Sequence, residues 1–150
     1  MIGLGNRWRR DDAAGLVLAE AVRGRLPADV ELLLREGEPA GLIDDWAGAA
    51  AVWVLDAVSS GAEPGTLHRL DAAREPLPAA MFGTSTHHVG LAEAIELARV
   101  LGRLPARAVV YGVEGARFDA GEGLTPAVAA ALDGLADRLA AEVAAARSEL

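Results

Sequence analysis

Two carboxylates and one histidine stand out as side chains that could share a site. Asp12 belongs to an acidic pair near the N-terminus, Asp56 follows the apolar run AVWVL, and His87 lies in the segment STHH. Carboxylate oxygens and a neutral imidazole nitrogen are common ligands of divalent transition metals. The three residues therefore predict a three-ligand site with positions left open for water or for ligands from a second protein.

The three side chains come from different elements of a pattern in which strands and helices alternate. Apolar runs predict strands at residues 1–4, 30–37, 50–61 and 106–115, the last three of them buried, and alternation predicts an edge or antiparallel strand at 65–71. Helical patterns cover residues 11–26, 39–48, 86–105 and 124–150. We expect Ser85 or Thr86 to cap the third helix and Thr125 to cap the fourth, with Pro126 at its first position.

This order of elements indicates an α/β fold. Strands separated by helices of this length form a largely parallel sheet with helices on both faces, and the antiparallel-looking strand makes the sheet mixed. We therefore expect a three-layer α/β/α sandwich with a mixed, mostly parallel five-stranded sheet. The length predicts a single domain over residues 1–150.

Polar residues concentrate where the predicted strands end. Ligands of open α/β sheets bind beyond the carboxyl ends of the strands. The residues found there are Gly3, Gly5, Asn6, Asp11, Asp12, Glu36, Glu38, Asp56, Ser59, Ser60 and Glu114, with Ser85, Thr86, His87 and His88 before the third helix. One aspartate of the acidic pair is expected to cap the first helix, but a cap does not explain the second. A helix N-terminus keeps an imidazole neutral, which is the form that binds metal.

Composition excludes several classes of function. The chain has no cysteine and no lysine, so thiolate metal sites, thiol nucleophiles, Schiff bases and the P-loop are all absent. The net charge of -8 disfavours binding to nucleic acid or to an anionic membrane. The longest apolar runs are shorter than the roughly 20 residues that span a bilayer. We therefore expect a cytoplasmic protein without nucleic-acid or membrane partners.

Three known patterns match only parts of the chain. The acidic pair, Asp56 and a hydroxyl residue near position 86 are spaced as in response-regulator receiver domains, but such a domain needs a lysine. The segment GLGN resembles the opening of peptidyl-tRNA hydrolases, which continue with Pro-Gly where this chain has Arg7 and Trp8. The dinucleotide-binding fingerprint fails because its third glycine is missing.

A longer resemblance runs in order from Gly3 to about Leu139. GLGNRWRRDDAAG resembles the N-terminal signature of the hydrogenase maturation endopeptidases, in which Gly-x-Gly-Asn precedes a variable run, an acidic pair and a glycine. Further segments resemble the family's later motifs in the same order: EGEPAG, VLDAVSSGAEPGTLHRLD, STHHVGLAEAIELARVLGRLP, VVYGVEG and GLTPAV. Each segment is weak alone, and their shared order is specific.

The resemblance implies both a reaction and a site. These endopeptidases, which have a phosphorylase/hydrolase-like fold, cut a C-terminal extension from the large-subunit precursor of a nickel-iron hydrogenase after nickel insertion. The family's catalytic and metal-contacting residues fall on Asp12, Asp56 and His87, which leaves Asp11 as the cap. The nickel is implied to be held by the substrate, and no organic cofactor is implied. The sequence leaves open a non-catalytic nickel-binding protein or a hydrogenase-assembly chaperone on the same fold.

Overall fold

The computed structural model describes residues 1–37, 39–82 and 90–150. Within these residues the strands are β1 (Ile2–Gly5), β2 (Leu33–Glu36), β3 (Ala51–Val58), β4 (Leu67–Asp71) and β5 (Arg107–Glu114). The α-helices are α1 (Ala14–Val22), α2 (Leu42–Asp45), α3 (Leu91–Val100) and α4 (Pro126–Arg147). Short 3₁₀ turns cover Arg10–Ala13, Arg23–Arg25, Pro39–Gly41 and Ala79–Met81.

The strands form one mixed sheet in the order β2-β1-β3-β5-β4. Strands β1, β2, β3 and β5 are parallel to one another, and β4 pairs with β5 in the antiparallel direction. The structure therefore confirms the predicted five-stranded, mostly parallel sheet. It also confirms β4 as the antiparallel edge strand that its alternating sequence predicts.

Each face of the sheet is covered by helices. In β3 and β5, residues with odd numbers, such as Leu55 and Tyr111, pack with α1 and α4 in one apolar cluster. Residues of the same two strands with even numbers, such as Val54 and Val110, pack with α2 and α3 in a second cluster. The three-layer α/β/α sandwich is confirmed. None of the helices within the described ranges combines the length and the apolar character needed to cross a bilayer.

Several predicted boundaries differ from the structure. The first predicted helix is an α-helix between two 3₁₀ turns, because no side-chain cap starts a regular helix there. Strand β2 lies at the edge of the sheet and is partly exposed, so the expectation that it is buried was wrong. Helix α3 begins at Leu91, and its predicted caps lie in residues 83–89, outside the described residues. Helix α4 begins at Pro126 after Thr125, as predicted, but the Thr125 side chain forms no capping hydrogen bond.

Gly15 allows α1 to lie close to the sheet. It belongs to the first turn of α1, and a Cβ atom at this position would overlap the carbonyl oxygens of Leu4 in β1 and Leu55 in β3. Backbone oxygens of two paired strands cannot move aside without breaking the ladder. Glycine at this position therefore fixes the distance between α1 and the strand ends, and with it the place of the turn that precedes α1.

We predict that Gly15→Ala lowers the free energy of unfolding by at least about 2 kcal/mol, because the added methyl group overpacks a contact between backbones. Gly134→Ala is the control, since a Cβ atom there meets nothing within 4 Å. As an ordinary helix position, it should gain about 0.5–1 kcal/mol. Urea unfolding of both variants measures the difference, and equal midpoints would contradict this account of α1 packing.

Candidate functional site

The turn between β1 and α1 carries Asp12 to the carboxyl edge of the sheet. The Asn6 N–H donates to the Asp12 carbonyl oxygen at 3.2 Å, and the Asp12 N–H donates to the Arg9 carbonyl oxygen at 3.0 Å. Gly5 has a φ of 153°, and a Cβ atom there would overlap the Asp12 carbonyl oxygen. Glycine is therefore required where the turn folds back over the end of β1.

Asp56 reaches the same edge from the centre of the sheet. It is half-buried on the face of β3 that α2 and α3 cover, between the buried side chains of Val54 and Val58. Asp56 follows the apolar run AVWVL, and β3 continues beyond it to Val58, within the strand predicted at residues 50–61. The Ala57 N–H donates to Asp56 Oδ1 at 2.8 Å and helps to fix the carboxylate.

Asp12 lies close enough to Asp56 for its charge to affect the ionisation of the Asp56 carboxyl group. Burial, followed by the negative charge of Asp12, raises the pKa of Asp56 to about 7, and the Ala57 N–H offsets part of this shift. Burial also raises the pKa of Asp12, and the positive charge of Arg9 opposes that shift. The structure thus brings together two of the three predicted site residues as a mutually repelling carboxylate pair.

A carboxylate pair of this kind can take part in two kinds of chemistry. A divalent cation placed between the two side chains would remove their repulsion and favour the ionised form of both. A carboxyl group that titrates near neutrality can also accept or donate a proton during a reaction. Both properties require that the two carboxylates stay close together, which the packing of the turn against β3 provides.

The third predicted residue, His87, lies outside the described residues, as do Glu38, Ser85, Thr86 and His88. Its role as a ligand stays a prediction. Among residues 1–37, 39–82 and 90–150, no group of three or more potential ligands is arranged to hold a metal ion. Glu36, which was also predicted at this edge, is exposed, and its carboxylate interacts with Arg7 rather than with the carboxylate pair.

Asp11 has a different role from the predicted one. No side chain caps the 3₁₀ turn or α1, so the expectation that Asp11 caps its own helix was wrong. Its fully buried carboxylate instead accepts bonds from the backbone N–H groups of Ala116, Arg117 and Thr125 at 2.8, 3.1 and 2.8 Å. The Thr125 hydroxyl donates a fourth bond at 2.7 Å.

These four bonds join two loops that are far apart in the sequence. Burial by itself would raise the pKa of Asp11, but the bonds from Thr125, Ala116 and Arg117 outweigh it and lower the pKa below its ordinary value. Asp11 is therefore ionised and tied to the connection between β5 and α4. Since Asp12 is the next residue, this tie also fixes the backbone of the carboxylate pair.

Glu114 forms a separate polar cluster at the same edge. It is 2% exposed and accepts hydrogen bonds from the Ser60 N–H at 2.8 Å, from the Ser60 hydroxyl and from His68 Nε2 at 3.0 Å. Burial would raise the pKa of Glu114, and the bonds from Ser60 and His68 lower it below its ordinary value. His68 is a member of this cluster that was not predicted from the sequence. Its even position in the alternating strand β4 is the signal that it faces the interior.

Val58 lies between the Glu114 cluster and the carboxylate pair. The sheet register pairs Asp56 with Gly112 and Val58 with Glu114. Val58 is buried, and its Cγ1 would lie 2.6 Å from a Cβ atom at Gly112, so its side chain covers this glycine. The bonds of Glu114 hold the β3–β4 connection and β4 against β5, which is a structural use of its charge.

We predict that Asp11→Ala costs about 3 kcal/mol or more of unfolding free energy, because it removes a fully buried carboxylate together with the four hydrogen bonds that it accepts. Asp12→Asn is the matched control, since it changes the adjacent carboxylate without removing these bonds. We expect it to change stability by less than about 1 kcal/mol. Guanidinium unfolding at neutral pH compares the variants, and a larger loss in Asp12→Asn would contradict the assignment.

We predict that Asp56→Asn makes the metal-free protein less sensitive to pH. A folded-state pKa raised to about 7 gives stability at low pH that is lost as the pH rises from the unfolded pKa through 7. Asn cannot titrate, so the variant should exceed the parent by roughly 2–4 kcal/mol at about pH 8, and the difference should shrink toward about pH 4. A constant difference across this range in chelator-treated samples would rule out the raised pKa.

Comparison with known proteins gives the class of this fold and site. The family model described as hydrogenase maturation protease, HycI, matches residues 23–142. Hydrogenase 2 maturation protease of Escherichia coli is 34% identical over 139 residues, which cover 89% of this chain and 82% of that protein. The hydrogenase expression/formation protein HupD of Thiocapsa roseopersicina is 29% identical, and the alignment covers 91% of this chain and 66% of that protein.

Solved structures agree with the sequence matches. The hydrogenase maturating endopeptidase HybD from Escherichia coli superposes with a TM-score of 0.81 at 31% identity, covering 99% of this chain and 91% of that one. The hydrogenase maturation protease HycI from Thermococcus kodakarensis has the same fold, with a TM-score of 0.75 at 24% identity and coverage of 95% and 89%. The class is thus a family of peptidases with this α/β fold. The chain belongs to the hydrogenase maturation protease family.

Proposed function

We propose that this protein is an endopeptidase that removes the C-terminal extension of a nickel-iron hydrogenase large-subunit precursor after nickel has been inserted. The observation that carries this proposal is the pair formed by Asp12 and Asp56, whose charges interact at the carboxyl edge of the sheet. Membership of the hydrogenase maturation protease family supports the reaction class. The order of motifs from Gly3 onward supports the choice of substrate.

The nickel is part of the substrate in this proposal. Asp12, Asp56 and His87 would contact nickel that the precursor already holds, so that an empty precursor is left uncut. Carboxylates and imidazole are suitable donors for nickel, and an incomplete ligand set suits a metal that arrives with its own ligands. The repulsion within the carboxylate pair supports this reading, because a cation would relieve it.

The two carboxylates also suit peptide hydrolysis. Cleavage needs a water molecule that loses a proton as it attacks the carbonyl carbon, and a carboxylate within hydrogen-bond reach of that water can accept the proton. The substrate's metal would polarise the scissile carbonyl group. Either carboxylate can serve as the base, while Asp11 is committed to its four hydrogen bonds and is not available.

We predict that the protein shortens a nickel-loaded precursor and leaves a nickel-free precursor intact. Asp12→Asn, Asp56→Asn and His87→Ala should each lower the cleavage rate by at least about 100-fold, because each removes a group that contacts the metal or the attacking water. Gel mobility measures the rate, and mass spectrometry of both fragments identifies the bond that is cut.

Asp137→Asn is the control, because its exposed carboxylate pairs with Arg25 on the surface. It should cleave at the parent rate. Full activity of the three site variants would remove the site assignment. A parent protein that binds the loaded precursor and never cuts it would favour the alternative of a nickel-binding assembly chaperone.

A further inference from the structure

Arg9 is an exposed residue of the turn that carries Asp12. Its Nε–H donates to the carbonyl oxygen of Phe118 at 3.1 Å, which anchors the guanidinium over the loop that follows β5. Its backbone forms an isolated β-bridge with Gly121. The two loops that Asp11 joins therefore also hold Arg9. Because the Nε–H group of Arg9 is hydrogen-bonded, the position of its two terminal nitrogens is restricted.

Arg9 differs from the neighbouring arginines in having no carboxylate paired with it among the described residues. The neighbouring arginines each have carboxylate partners: Arg7 with Glu20 and Glu36, and both Arg10 and Arg117 with Asp119. Within the described residues, Arg9 forms no ion pair with a carboxylate. In a chain of net charge -8, it is a cationic group left available at the site.

Arg9 and Asp12 are joined through their backbones, but their side chains form no ion pair. Their backbones are joined by the bond from the Asp12 N–H to the Arg9 carbonyl oxygen at 3.0 Å. The guanidinium lowers the pKa of Asp12, although burial of Asp12 has the larger and opposite effect. The two side chains nevertheless form no ion pair, so the N–H groups of Arg9 remain able to bind an oxygen atom of a substrate.

We propose that Arg9 binds the carbonyl oxygen of the scissile peptide bond and then the carboxylate that hydrolysis leaves on the same carbon. This proposal rests on the peptidase activity proposed above. Attack of water forms a C–O bond and places negative charge on the carbonyl oxygen. The C–N bond then breaks, the amine takes the proton first removed from the water, and the second proton of the water passes to the amine as well, so that the carbon keeps a carboxylate. A guanidinium binds this anion in both stages.

The first test is the affinity for the product. A peptide that ends at the new C-terminus is prepared as the free acid and as the amide, and its dissociation constant is measured by calorimetry. The parent should bind the acid about tenfold more tightly than the amide, since a charge-assisted hydrogen bond is lost in the amide. Arg9→Gln should remove this preference, and Arg9→Lys should keep part of it.

The second test is the rate of precursor cleavage. Arg9→Gln should lower kcat by about tenfold or more with little change in KM, because the carbonyl oxygen becomes charged only during the reaction. Arg23→Gln is the matched control. Arg23 is exposed in the 3₁₀ turn after α1 and forms no ion pair among the described residues. It should keep both the acid preference and the parent rate.

The outcomes separate this proposal from the proposed function. An active parent without a preference for the acid, or an Arg9→Gln variant with the parent's preference and kcat, would overturn the role of Arg9 alone. A parent that prefers the acid but never cuts the loaded precursor would support anion binding by Arg9 and contradict the peptidase activity. Unchanged thermal unfolding of Arg9→Gln excludes a general loss of structure as the cause.

Discussion

The buried carboxylate of Asp11 is the interaction on which the site depends. An ionised group removed from water must have its charge met by donors, and Asp11 finds them in the backbone and hydroxyl groups of the β5–α4 connection. This requirement draws the turn after β1 onto the loop after β5. Asp12 and Arg9 belong to that turn, so the position of both follows from a residue whose own carboxylate is fully buried.

The close contact between α1 and the sheet is a second constraint on the position of the carboxylate pair. Gly15 lets the helix lie against the carbonyl oxygens of β1 and β3, and Gly5 lets the preceding turn close over β1. The carboxylate pair is therefore held between a hydrogen-bonded brace and a close backbone contact. Such a frame can keep two like charges together, and burial, followed by the negative charge of Asp12, raises the pKa of Asp56 to about 7.

The carboxyl edge of the sheet contains two kinds of acidic side chain, which differ in the direction of their pKa shift. Burial opposes the ionisation of Asp11 and Glu114, but hydrogen bonds from neighbouring donors outweigh it and lower their pKa values. These two residues fasten loops to the sheet. Burial raises the pKa of both Asp12 and Asp56, and the negative charge of Asp12 raises that of Asp56 further. The unsatisfied carboxylates, rather than the satisfied ones, are the groups able to bind a cation or to move a proton.

The sequence by itself determined the order of strands and helices, the mostly parallel sheet with β4 as its antiparallel edge, and Asp12 and Asp56 as candidate partners. Periodicity and turn residues are local properties, so they can be read along the chain. Tertiary structure alone decided that β2 is partly exposed, that Asp11 binds Thr125 at a separation of 114 residues, and that His68 joins Glu114. These outcomes depend on which distant groups packing brings within hydrogen-bond distance, and no local pattern encodes that distance.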